Sequence, residues 1–150
     1  MASVRHQVRI VLLQTLFEAA LTAHDPSEVL QRHLAERQFP PDAAEFAQGL
    51  LRGVLEHLQE IDVLIVEAAP NWPLEQMARV DVNILRIGIY EILFAGDEHI
   101  PAKGAINEAV ELAKQFGSGS SRRFVNGVLG TLLNKHPPTR PAQEKSEAAV

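Results

Sequence analysis

The sequence predicts an all-α fold, on three observations. Apolar residues recur at three- and four-residue steps through most of the 150-residue chain. No segment shows the apolar/polar alternation of a half-buried strand. Proline, glycine, serine and aspartate fall where helices need starting and stopping. The expectation is about seven helices in one domain over residues 1–135. A disordered tail is expected over 136–150, where Pro, Ala, Glu, Lys and Ser replace any apolar stripe.

The first helix is expected from Ser3 to Thr22, with Val4, Val8, Val11, Leu12, Thr15, Leu16 and Ala19 as its stripe. Ile10, Leu13 and Phe17 fall outside that stripe. Either neighbours wrap this helix on more than one side, or a second apolar face awaits a partner. Asp25-Pro26-Ser27-Glu28 reads as a helix start, with Asp25 as cap, Pro26 in the first turn and Glu28 closing a capping box. That helix should run to about Arg37. Pro41 opens another, to about Gln59, and Ile61 to Ala69 forms a further segment ended by Pro70.

Pro73 opens the most apolar helix, Leu74 to Ala95, with Trp72 as a core anchor at its start. Gly96 and Asp97 turn the chain, and Pro101 starts a helix ending at Phe116. Gly117 is expected in the left-handed conformation that commonly ends helices. Ser118, Ser120 or Ser121 can cap the last helix, which runs to about Lys135. Gly127 and Gly130 each cost that helix about 1 kcal/mol relative to alanine, so a closely packed neighbour is expected there.

Several function classes drop out. No uninterrupted apolar run approaches the length of a membrane helix, and the N-terminus lacks a secretory pattern. With zero cysteines there is no disulfide framework or thiolate metal site, which suits the cytoplasm. No two histidines lie three or four residues apart, and no glutamate has a histidine three residues later, so no metal site is expected. Gly117-Ser118-Gly119-Ser120-Ser121 lacks the lysine of a phosphate loop. No nucleophile–base constellation is defensible, Glu56 and Glu60 read as a solvated face, and neither catalysis nor a cofactor is expected.

Charge placement is more informative than its sum. The formal net charge is −5, yet residues 1–9 carry Arg5 and Arg9, and 117–135 carry Arg122, Arg123 and Lys135, with no acid in either window. These are either two solvated helix ends or one local patch able to hold an anion against a distant negative background. Arg122 and Arg123 open a helix, where free N–H groups and guanidiniums suit phosphate. Phe124 follows them. It either stacks an unpaired RNA base or packs inward with Val128. Arg86, in the most apolar helix, needs a carboxylate, and Glu108 is the expected partner. Asp81, Asn83 and Glu91 mark the wet face of that helix or the rim of a protein contact.

Beyond these readings, particular runs resemble a known family. They are Leu85-Arg86-Ile87 with Tyr90-Glu91, then Ile106-Asn107-Glu108-Ala109-Val110-Glu111-Leu112-Ala113-Lys114, then Phe124-Val125-Asn126-Gly127, with Trp72-Pro73 ahead of them. Together they resemble the C-terminal half of the NusB family of transcription antitermination factors, and the similarity extends over about residues 4–134. The resemblance implies two small helical bundles side by side. It also implies binding of boxA-type single-stranded RNA of ribosomal RNA transcripts with the ribosomal protein NusE, in an elongation complex with RNA polymerase. It puts RNA contacts on Arg5, His6, Gln7 and Arg9 and on Ser120, Arg122, Arg123 and Phe124, and the NusE contact on Phe17 and Asp81. The basic arm is poorer in Arg and Lys than the family's usual one, so weak RNA binding without NusE is expected. Two alternatives stand beside this: a homodimeric protein-interaction module, and an accessory factor in ribosomal RNA maturation without sequence-specific RNA binding.

Overall fold

A computed structural model describes residues 3–96 and 100–137. Asp97 and most of the expected tail lie outside the described residues. Seven α-helices form among them: α1 (Val4–Thr22), α2 (Pro26–Arg37), α3 (Pro41–Glu56), α4 (Leu58–Ala68), α5 (Arg79–Ile89), α6 (Ala102–Phe116) and α7 (Ser121–Lys135). No strand occurs among the described residues. Helices α1–α3 pack as one small bundle and α4–α7 as a second, joined where α1 lies on α5. None of these helices is long and apolar enough to cross a membrane.

Local chemistry explains most boundaries. Ser3 caps α1, its hydroxyl accepting from the His6 backbone N–H at 3.0 Å. Proline occupies the first turn of α2 and of α3, where its missing N–H costs nothing. Asp25 precedes α2 as expected, but its side chain makes no capping bond, so proline geometry rather than a capping box sets that start.

Ile10 and Leu13 are buried at 6% and 3% exposure, so the apolar width of α1 is largely consumed by its neighbours. Phe17 stays half-buried.

Other expectations are corrected. The predicted Leu74–Ala95 helix is three pieces: a 3-10 turn over Leu74–Gln76, α5, and a π turn over Tyr90–Phe94. Met77 is extended (φ −74°, ψ 148°), and its burial interrupts the helix despite a continuous apolar pattern. Trp72 is 54% exposed rather than a core anchor. Gly117 is extended (φ −92°, ψ −171°), and what requires glycine there is space, since a Cβ would strike the Ser121 side chain. Gly127 and Gly130 meet nothing where a Cβ would stand, so no close helix compensates them. The tight approach is instead at Gly53, where an added Cβ would strike the Tyr90 ring, whereas at Gly88 an added Cβ would make only ordinary contact, 3.7 Å from the Ala109 Cβ.

Candidate nucleic-acid interface

The N-terminal basic window has a structural fate. Arg9 points inward at 3% exposure, its Nε and Nη2 each donating at 2.8 Å to the two oxygens of Glu91, which is 2% exposed. Its Nη1 donates at 2.9 Å to Glu108 Oε1. The π turn presents Glu91 inward to meet this guanidinium. Burial alone would lower the Arg9 pKa, but the hydrogen bonds and charges of Glu91 and Glu108 hold it above its ordinary value. An arginine so enclosed is a strut between α1, the π turn and α6. Its guanidinium is therefore not on the presented surface, where the resemblance places an RNA contact.

Glu108 is thereby engaged, and the expected Arg86–Glu108 pair does not form. Arg86 instead makes a bidentate pair with Asp62 of α4, 2.9 Å on each arm, and donates at 3.1 Å to Asn83 Oδ1. The remaining arm residues lie nearer solvent. Arg5 is exposed, its guanidinium 4.0 Å from the centre of the Phe46 ring, and His6 Nδ1 lies 2.9 Å from the second oxygen of Glu108. Gln7 is half-buried.

The second window is built differently. The buried Ser121 hydroxyl accepts from the Ser118 backbone N–H at 2.9 Å, which folds the loop tightly into α7. Ser120 precedes α7 without a side-chain capping bond. Arg122 and Arg123 are exposed in the first turn, and neither forms an ion pair among the described residues. Lys135, at the far end of α7, is about 20 Å away by helical rise. It donates instead to the Glu67 carbonyl at 2.9 Å, so it does not join them.

Phe124 takes neither extreme expected of it. It is half-buried, packed against the core on one side and lining two open grooves on the other. One groove, of about 410 Å³, is walled by Trp72, Met77, Asp81, Ser120, Arg123 and Phe124. Trp72 and Arg123 line both. Trp72 thus belongs to the candidate site, a placement that sequence reasoning missed. The available signal is its position in Pro70-Asn71-Trp72-Pro73, a stretch with no helical stripe to bury an indole.

Asp81, expected on a protein-partner surface, shares this groove with three of the expected RNA contacts. The two basic windows both border the α5–α6 pair. Glu108, which holds His6 and Arg9, is eight residues from Phe116 at the other end of α6, about 12 Å of helix. They are neighbours along one helix but not equal halves of a cationic patch. Among the described residues no cluster of His, Asp and Glu could hold a metal ion.

With this geometry in place, similarity to known proteins is extensive. A sequence model described as the NusB family matches residues 6–134. A "Transcription antitermination protein NusB" of Roseiflexus castenholzii is 52% identical over 136 residues, covering 91% of this chain and 96% of that relative. A protein of the same description from Chloroflexus aggregans is 49% identical, covering 97% of each. Among solved structures, NusB of T. maritima superposes with a TM-score of 0.84 at 35% identity, covering 98% of this chain and 99% of that one. A chain from the crystal structure of antitermination factors NusB and NusE in complex with dsRNA gives 0.80 at 25% identity, covering 91% and 100%.

Proposed function

Because this chain belongs to the NusB family, we propose that it is a transcription antitermination factor that binds RNA together with NusE. The observation that carries this reading is the opening of α7. There two exposed arginines, without ion pairs among the described residues, precede an aromatic ring, and Arg123 lines the same open grooves as that ring. Guanidiniums position a strand through its phosphates, and an accessible ring suits the splayed bases of single-stranded RNA. Relatives carrying the antitermination name, and a solved NusB–NusE–RNA assembly of the same fold, support it.

In finer detail, the RNA is a boxA-type element of ribosomal RNA transcripts, and the complex acts on elongating RNA polymerase. Ser120, Arg122, Arg123 and Phe124 form the principal contact, with Arg5, His6 and Gln7 as a secondary one. With Arg9 withdrawn, few cations contribute to counterion release, so the chain alone binds weakly and NusE supplies the remainder.

Fluorescence anisotropy with a labelled boxA-like RNA, with and without NusE and across a salt series, tests this. Tighter binding of boxA than of a scrambled RNA, strengthened by NusE, is the expected result. Equal binding of both RNAs with NusE present sinks it.

A further inference from the structure

The outer face of α4 carries two exposed valines, Val63 at 58% and Val66 at 43%. Scattered surface valines are ordinary and alone mean little. Their setting is more specific. Glu60, Val63 and Glu67 fall at i, i+3 and i+7 of the helix and so share one line along it, with Val66 beside Val63. That line is apolar in the middle and acidic at both ends. Glu60 is well exposed and engages only its Oε1, 3.0 Å from His57 Nδ1.

The end of α7 arrives at this line. Lys135 Nζ donates to the Glu67 carbonyl at 2.9 Å, and His136 Nε2 lies 3.0 Å from Glu67 Oε1. Helix α7 runs counter to α4: Phe124 and Thr131 border the same groove as Trp72 and Ala68, and His136 lies further on, at Glu67. Continued in that direction, the chain passes from Glu67 toward Val63 and Glu60. The sequence that follows is Pro137-Pro138-Thr139-Arg140-Pro141. Each proline fixes its own φ and holds the residue before it extended, which favours the polyproline II form. In that form His136 to Arg140 spans about 12 Å, against about 10 Å of helix from Glu67 to Glu60.

We propose that residues 138–141 form a strap laid back along α4, with Pro138 over Val63 and Arg140 paired with the second oxygen of Glu60. The strap prolongs the clamp that Lys135 and His136 make on Glu67. It also withholds the outer face of α4 from other molecules, a second copy of the chain included. A lone surface ion pair is weak. Here prolines have already restricted the free chain, so less freedom is lost on docking.

The chain has no cysteine, which makes disulfide trapping clean. In the full chain carrying Val63→Cys and Thr139→Cys, mild oxidation should close the intramolecular disulfide about tenfold faster than in a Thr131→Cys, Thr139→Cys control, because docking raises the effective concentration above that of a loose tether. Thr131 is exposed and stands about 9 Å behind Pro137 along α7, a comparable reach in the opposite direction. Adding Arg140→Glu should slow the Val63 closure to near the control rate, and Glu60→Arg in that variant should restore it. A second measurement needs no substitution: nuclear Overhauser contacts from the Val63 methyls to the Pro138 ring are expected in the parent protein.

Equal closure rates at Val63 and Thr131, with no such contacts, overturn the strap. So do disulfides that form between molecules and grow faster with concentration, which would assign the valines to a second copy. Equal rates together with loss of NusE affinity in Val63→Arg would make this face a partner contact instead.

Discussion

The first and last helices each carry a pair of arginines near the start, and the fold treats them oppositely. In α1, Arg9 is fully enclosed by Glu91 and Glu108, and Arg5 lies over Phe46. In α7, Arg122 and Arg123 stand in solvent, Arg123 on the lining of an open groove. Equal formal charge thus becomes a structural strut at one end of the chain and a presented surface at the other. What separates them is the neighbour: α1 is clasped by α2, α3 and α5, whereas the first turn of α7 emerges from a short loop.

The sharpest way to break this contrast is to remove the strut. Arg9→Ala leaves Glu91 buried without its partner and should cost about 3–5 kcal/mol in urea unfolding. Replacing Arg9 and Glu91 together by Met should recover much of that loss, because it removes both charges rather than one. If Arg9→Ala unfolds like the parent, the contrast is wrong.

At the other end, Arg122→Ala with Arg123→Ala should leave stability within about 0.5 kcal/mol. The same double variant should flatten the dependence of log affinity on log salt by about 0.7 for each phosphate that no longer meets a guanidinium. A stability loss comparable with that of Arg9→Ala would show these arginines to be structural too.

A smaller effect probes the openness of α7. Gly130→Ala, placed where a Cβ meets nothing, should stabilise by up to about 1 kcal/mol through helix propensity. Thermal melting reads this directly, and destabilisation would reveal packing against that face.

The mildest effect concerns α1 again. Glu18 has its pKa lowered from 4.5, chiefly by the hydrogen bond from Arg32. A carboxylate depressed on folding contributes stability that is present above its unfolded value. That contribution is lost as pH falls through the lower folded value. Unfolding measured against pH should therefore weaken less below pH 4.5 in Arg32→Ala than in the parent.

Helix α6 shows what local signals can reveal: proline before it, an apolar stripe through it and glycine after it mark both ends to within a residue. The break at Met77 shows where they stop. Periodicity runs on through Leu74 and Val80, and only packing in three dimensions decides that Met77 turns inward in extended conformation. The site is legible to a similar depth. Ser120, Arg122, Arg123 and Phe124 can be named from their order along the chain. Trp72 cannot be placed on their groove that way, because it reaches it from a separate segment.

Taken alone, the order of residues determined the helical class, the helix starts at Pro26, Pro41 and Pro101, the family resemblance and the basic character of both windows. Each of these is a property of neighbours a few positions apart, where capping and periodicity act. Tertiary structure alone decided which arginine is buried, that Glu108 belongs to Arg9 rather than Arg86, and that Asp81 shares a groove with Phe124. Arg9 meets its two carboxylates across 82 and 99 residues of chain. At such separations several opposite charges are available to each cation, and only the packed backbone selects among them.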